Sequence, residues 1–315
     1  MFHLTTESFE DYAQRQPELA GEAWRARLLG GGVSNTVMLA EGAQSGRRLV
    51  FKQALGQLRV KEVWLADQAR IHREAASIRA LAPLLPTGAV PTVAFEDRAN
   101  FIYAMEAAPA GSDDWKTRLM RGEASEAVAR QAAAILNALA RGTMDAPQWR
   151  EEFGDQHCFD QLRLDPYYRF TAARHPDLRG AFEEAIALAR RPRAMVHGDF
   201  SPKNLLVSPA GAVTLIDLEV VHYGDPAFDA AFLLNHLLLK AAHGLPGARE
   251  LGRVCARELA WLEPDSTRHL GCLHLARVDG KSPAEYLTEG ERERVRRSAR
   301  EMILRPPSAI AELFA

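Results

Sequence analysis

Cysteine is scarce in this chain, and the three that occur stand far apart. Cys158, Cys255 and Cys272 are odd in number and widely spaced, which excludes a disulfide framework and a zinc site and points to a reducing compartment, the cytoplasm. Long apolar runs are missing too. The most apolar stretch, 230–239, is interrupted by Asn235 and His236 and is too short to span a bilayer. The start, Met-Phe-His-Leu-Thr-Thr-Glu-Ser, has neither the basic opening nor the apolar core of a signal peptide. No charge of one sign dominates: 39 Lys and Arg face 41 Asp and Glu, for a net charge of −2. That balance gives no reason to expect a nucleic acid or an anionic membrane as partner. No internal repeat and no long low-complexity segment interrupts the 315 residues, which suffice for one large domain or two.

What the chain does have is concentrated at 195–219, M-V-H-G-D-F-S-P-K-N-L-L-V-S-P-A-G-A-V-T-L-I-D-L-E. An apolar approach leads to His197-Gly198-Asp199, and four residues separate Asp199 from Asn204. Two short β-type runs follow, 205–207 and 213–216, joined by Ser208-Pro209-Ala210-Gly211, and they read as a hairpin. That hairpin brings Asn204 and Asp217 side by side at its open end, with Asp199 just before them. Two carboxylates and an amide are all oxygen donors. They suit Mg²⁺, which takes few protein oxygens and keeps positions for substrate phosphates.

H-G-D-x-x-x-x-N followed by I-D-x-E resembles the catalytic core of the aminoglycoside phosphotransferase and choline kinase family, small-molecule kinases related in fold to protein kinases. The resemblance implies an α+β, bilobal, protein-kinase-like fold. Residues 1–106 would form a small β-rich lobe that binds nucleotide, and 107–315 a larger, mostly helical lobe with the catalytic loop and acceptor site. It implies that Asp199 orients and deprotonates the substrate hydroxyl, and that Asn204 and Asp217 hold Mg²⁺ on the phosphates of ATP. Glu219, two residues past Asp217, is either a further metal or acceptor-side group or a plain strand-end surface residue.

The first hundred residues contain counterparts for the rest of such a site. A glycine cluster at Gly30-Gly31-Gly32 lies between two apolar runs, where Gly31, Ser34 and Asn35 could present donors to phosphate. It is not a Walker loop, because no Gly-Lys-Ser/Thr follows. Lys52 ends the apolar run 48–53 and, by the same resemblance, reaches the α and β phosphates. A helix over 67–81 buries Ile71, Ala75 and Ile78, and Glu74 falls on that same side. An unpaired carboxylate there is costly, so Glu74 is paired with Lys52, with Glu62 in reserve. Strands at 90–95 and 100–105 lead into Met105-Glu106-Ala107-Ala108, which resembles the family's hinge. Met105 would line the base pocket, and main-chain groups near Glu106 and Ala108 would bond the adenine edge.

Beyond the hinge the chain reads as helices at 124–141, 155–170, 176–191, 227–239, 248–262 and within 283–304. Tyr167 and Tyr168 are core residues or face the substrate. Asp225 and Pro226 cap a helix start, and Asp229 ties the catalytic loop down. The polar segment 277–283 is a plain connection or a flap over the acceptor. The arginine- and glutamate-rich 289–300 is a solvated helix face. Only seven residues separate Asp217 from Asp225, too few for the activation segment of a protein kinase. The acceptor is therefore expected to be a small hydroxylated molecule. Phe51-Lys52-Gln53-Ala54-Leu55 with Arg59, Trp64 and Glu74 is also similar to methylthioribose kinases, although Ser201-Pro202-Lys203-Asn204 keeps an asparagine they lack. The expected activity is ATP-dependent transfer of a phosphoryl group to a metabolite hydroxyl, possible acceptors including a sugar such as methylthioribose. The alternatives are an aminoglycoside-modifying kinase, which needs an acidic acceptor region, and a non-catalytic nucleotide-binding module.

Overall fold

The computed structural model describes residues 2–30, 34–57, 59, 67–263 and 265–315. Two compact units emerge. One comprises Met1–Pro83 and Val90–Pro109, the other Leu84–Ala89 and Ala110–Ala315.

The first unit is an antiparallel sheet with flanking helices. Its strands are β1 (Trp24–Leu28), β2 (Asn35–Gly42), β3 (Arg48–Ala54), β4 (Val93–Asp97) and β5 (Ile102–Glu106), in spatial order β1-β2-β3-β5-β4. Helices α1 (Phe9–Gln14) and α2 (Arg70–Leu81) complete it. Side chains alternate across a strand, and β3 uses both faces. Phe51 points into a core shared with α1, where the Phe9 ring meets it edge-on at 4.8 Å. Lys52 points the other way, toward α2. On α2 the apolar positions Ile71, Ala75 and Ile78 are buried, and Glu74 is fully buried among them. The glycine-rich segment around Gly31, together with Glu62 and Trp64, lies outside the described residues.

The second unit is mostly helical. Its helices are α3 (Trp115–Met120), α4 (Glu126–Thr143), α5 (Pro147–Phe153), α6 (His157–Phe159), α7 (Phe170–Arg174), α8 (Arg179–Ala189), α9 (Ala227–Ala242), α10 (Ala248–Glu258), α11 (Asp265–Asp279) and α12 (Glu289–Leu304). Short strands hold the functional loops: β6 (Asp113–Asp114), β7 (Ala194–Val196), β8 (Leu205–Val207), β9 (Val213–Leu215) and β10 (His222–Gly224). Strand β8 pairs with β6 and β9, and β7 pairs with β10. Helix α9 packs against α10 and α11, and α11 against α12. Among the described residues no helix is long and apolar enough to cross a membrane. The three cysteines are buried and unpaired.

One expected helix takes a different form. The segment read as a single helix over 155–170 is α6, then a π-helical stretch over Asp160–Arg169, then α7. Pro166 lies inside that stretch. Proline has no N–H for the carbonyl four residues back and its ring collides with it, so the backbone widens to the i→i+5 register. The carbonyl concerned, Leu162 O, also accepts from Arg163 Nη1 at 2.6 Å.

Candidate active site

The loop after β7 is built on one carboxylate. Asp229, in the first turn of α9 and fully buried, accepts from the N–H of His197 (2.6 Å) and of Gly198 (2.9 Å). Burial draws the Asp229 carboxyl up to about 7, against the pull of those two N–H groups. Gly198 sits at φ 78°, and a Cβ there would come within 3.0 Å of Val220 Cγ1, so the turn requires glycine. His197 braces the other side. Its Nδ1 accepts from Asp199 N–H (3.1 Å), which leaves Nε2–H to donate to Ile216 O (3.1 Å). Burial holds the ring neutral, its pKa lowered to about 4. The start of α9 follows the expected residues with a small shift: the helix begins at Ala227, whose N–H is capped by Asp225 Oδ1 (3.0 Å), and Pro226 occupies the N-cap position.

Asp199 emerges from this loop nearly buried, 5% exposed. Arg163 Nη2 lies 2.7 Å from its Oδ2 and Lys203 Nζ 3.3 Å from the same oxygen. Burial alone would raise the carboxyl, but Arg163 and Lys203 outweigh it and hold Asp199 below the usual carboxylate range. Arg163 comes from the π-helical stretch, and its Nε also donates to Gly198 O at 2.7 Å. The guanidinium therefore fixes both the backbone and the side chain of the loop.

The expected hairpin forms, with its second strand ending at Leu215, one residue short of the expected run. Leu205 faces Leu215 and Val207 faces Val213, with the turn closed by Gly211 N–H to Ser208 O at 2.9 Å. At its open end Ile216 N–H donates to Asn204 O (2.9 Å), so Asn204 lies opposite Ile216, one residue before Asp217. Asn204 Nδ2 donates to Asp199 O at 2.9 Å, which leaves Oδ1 as the oxygen its amide can offer elsewhere. Asp217 adopts φ 68°, ψ 54°, a left-handed conformation that a non-glycine residue reaches at a cost and that recurs at functional sites. The donor set, an amide oxygen beside a carboxylate with Asp199 adjoining, fits a hard divalent cation that keeps water and phosphate ligands. Glu219 follows in a 3-10 turn, Leu218–Val220, and is buried. This corrects the surface strand-end reading: the turn folds Glu219 inward, where its charge and that of Asp217 act on Arg163.

In the first unit Lys52 Nζ and Glu74 Oε1 form an ion pair of 2.7 Å, with side-chain exposures of 6% and 0%. Helix periodicity had placed Glu74 against the sheet, and a buried charge there must be paired because stranding one partner costs about 3–5 kcal/mol. Ser34 and Asn35 are anchored rather than extended. Ser34 O accepts from Leu55 N–H (3.0 Å) and from the buried guanidinium of Arg70, and Asn35 Nδ2 donates to Ser34 Oγ (3.2 Å). Met105 is buried in β5, 3.5 Å from Tyr103 Oη. Glu106 ends that strand with its carboxylate on Arg47 (2.7 Å), and the Ala108 carbonyl accepts from Arg48 Nη1 (3.2 Å). The hinge segment is thus pinned by two arginines from β3 and the residue before it.

Two groups at Asp199 escaped sequence reasoning. Lys203 lies within the motif's variable positions, and only the i,i+4 spacing to Asp199 signals it. Arg163 is thirty-six positions upstream in a segment with no recognisable motif. The tyrosines resolve toward the core: Tyr168 is fully buried with Oη on His269 Nδ1 (2.9 Å), and Tyr167 packs its ring 5.8 Å from Phe232. Segment 277–283 is tied to the π-helical stretch through Lys281 N–H to Pro166 O (3.2 Å) and Lys281 Nζ to Asp165 (3.1 Å).

A sheet unit with a buried Lys–Glu pair and a helical unit with an H-G-D loop and an Asn/Asp hairpin define the protein-kinase-like α+β fold. The chain belongs to the phosphotransferase enzyme family (APH), whose model matches residues 25–264. Solved structures share the fold across most of their length. A gentamicin complex of APH(2")-IIa superposes with a TM-score of 0.56 at 16% identity, covering 100% of this chain and 99% of that one. The macrolide 2'-phosphotransferase MphH from Brachybacterium faecium, an apoenzyme, gives 0.55 at 20% identity over 96% and 99%. The Plasmodium vivax ethanolamine kinase Pv091845 gives 0.55 at 11% identity over 92% and 80%. No curated protein sequence matches the chain.

Proposed function

We propose that the protein is an ATP-dependent kinase that transfers the γ-phosphoryl group to a hydroxyl of a small metabolite, with Mg²⁺ as the metal. The observation that carries this reading is Asp199: a nearly buried carboxylate kept ionised by Arg163 and Lys203, adjoining the Asn204–Asp217 pair. In this reading the acceptor oxygen bonds to the γ-phosphorus as the bond to the β-phosphate oxygen breaks. Asp199 takes the hydroxyl proton, and ADP leaves. Arg163 and Lys203 both engage Oδ2, so Oδ1 is the oxygen left to meet the hydroxyl. Asn204 Oδ1 and Asp217 would hold Mg²⁺, which when bound spreads phosphate charge. Lys52, steadied by Glu74, would take the α and β phosphates. Glu106 and Ala108 would supply main-chain groups for the adenine edge, with Met105 against the base. Ser34 and Gly31 would lie by the phosphates. Asn35, buried and turned onto Ser34, would act by shaping that segment.

Structural neighbours are named an aminoglycoside phosphotransferase and a macrolide 2'-phosphotransferase, and methylthioribose is suggested by the residues around Lys52. The test is Mg·ATP consumption across a panel of hydroxylated metabolites. Asp199→Asn is expected to lower turnover about 10²–10⁴-fold while ATP still binds by calorimetry. Wild-type-like turnover in that variant would refute the assignment. A non-catalytic module predicts no consumption with any acceptor.

A further inference from the structure

One face of the helical unit gathers basic groups around Lys240. Lys240, on α9, is 0% exposed. Its Nζ reaches its own helix at His236 O (3.4 Å) and lies 5.7 Å from the Tyr286 ring centre. Phe232, His236 and Lys240 recur at i, i+4 and i+8 and so share one face of α9, the face on which Tyr167 meets Phe232. Arg277 joins them from α11, its Nη1 on Tyr167 Oη (3.4 Å) and Ser282 Oγ (3.0 Å). Burial lowers the Lys240 ammonium to about 7, helped by repulsion from Arg277 and from Lys116, exposed on α3, against the pull of Asp114. Burial first, and then Arg277, Lys240, Lys203 and Lys116, push His236 well down. Lys203 links the group to Asp199 directly.

The nearby carboxylates are otherwise engaged. Asp114, which acts on Lys240, caps α3 by accepting from Thr117 N–H (2.8 Å) and Oγ1 (2.7 Å). Glu291, near Tyr286, holds His243 at 3.0 Å and the cap of α12. Two buried polar atoms in this group, Arg277 Nε and Tyr286 Oη, have no hydrogen-bond partner among the described residues. A buried cation without a counter-ion, flanked by further cations and orphaned donors, is unfavourable unless an anion completes it.

We infer that this face of the helical unit is an oxyanion site, and that the acceptor is an anionic alcohol, a hydroxy acid or a phosphorylated alcohol, held by Arg277, Lys116 and His236 in front of Lys240. The assignment of this anion as the acceptor rests on the kinase reading above. It opposes a polycationic acceptor, which these charges would repel, and it favours an anionic over a neutral sugar.

Two measurements test it. In the first, glycerate and glycerol 3-phosphate are titrated calorimetrically into the full chain at fixed ionic strength with saturating Mg·ADP. Binding is expected to weaken about tenfold or more in Arg277→Gln and in Lys240→Met, and to stay near wild type in Arg277→Lys. The apolar Lys240→Met fits a buried position, and Arg277→Lys separates charge from packing. No binding of either anion, or binding unmoved by both variants, overturns the site. The second measurement compares ATP consumption with glycerate, glycerol 3-phosphate, glycerol, methylthioribose and gentamicin. Preference for the carboxylate or for the phosphate identifies which oxyanion is read. Faster turnover of gentamicin or methylthioribose than of either anion overturns this inference and leaves the kinase reading standing. Variant-sensitive anion binding with no consumption of ATP across the panel supports the site and sinks the kinase reading.

Discussion

Lys240 is a liability for the fold in the absence of an anion, and its titration shows the sign. Its pKa is about 7 in the folded chain against an ordinary 10.5, through burial first and then Lys116 and Arg277, with Asp114 opposing. Between those values the unfolded chain holds the proton and the folded chain does not. Stability from this group therefore rises with pH from about 7 to about 10.5, by about 1.4 kcal/mol per unit. Lys240→Met is expected to remove that slope and to raise stability below pH 7, as a buried charge replaced by an apolar chain of similar length often does. Urea melts at pH 6 and pH 9 check it. An unchanged slope in the variant means the ammonium is not buried in solution. At this scale the sequence was readable where chemistry repeats a pattern. Asp199, Asn204 and Asp217 were marked by spacing, and Glu74 by its place on the buried side of a helix. Lys240 was not readable, because a lysine at the end of an apolar helix looks the same whether it projects into solvent or folds back beneath a tyrosine.

The π-helical stretch shows what an element adds. From sequence, 155–170 has the length and composition of an ordinary helix. Pro166 favours the wider register, and Arg163 within it carries two tasks. It satisfies Leu162 O and clamps Gly198 O and Asp199. None of this is visible in a periodicity, because it depends on which distant loop the guanidinium meets. Arg163 is expected to act as a positioning residue. Lysine keeps the charge but cannot make the planar set of contacts, so Arg163→Lys should lower kcat about 10–100-fold while the Kd of Mg·ATP holds. ATP consumption under saturating acceptor, set beside a calorimetric titration of nucleotide, separates the two. A loss confined to nucleotide affinity, with kcat intact, removes Arg163 from this role. By contrast the β8–β9 hairpin was legible to within one residue, since a Pro/Gly turn between two short β-type runs is a local signal.

The whole chain is not two consecutive pieces. Leu84–Ala89 belongs with the helical unit although Val90–Pro109 returns to the sheet unit. The reason is specific. Ala89 O accepts from Leu215 N–H at 2.7 Å and Gly88 O from Thr214 Oγ1 at 2.9 Å, and Leu85 and Ala89 are buried. This segment backs β9, the strand that ends two residues before Asp217. Composition does not reveal such a return, since Pro83 and Pro86 read only as the close of α2, just as a net charge of −2 does not reveal a local excess of cations. A fragment Ala110–Ala315 would leave the Leu215 N–H without its acceptor and uncover the apolar surface under Leu85 and Ala89. Two hydrogen bonds at about 1 kcal/mol each and one buried leucine at about 2 kcal/mol predict a loss of about 4 kcal/mol. Urea unfolding of that fragment, with and without a covalently linked copy of 84–89 restored through a flexible linker, measures the difference. Equal midpoints would show that the helical unit holds β9, and with it Asp217, without help from the returning segment.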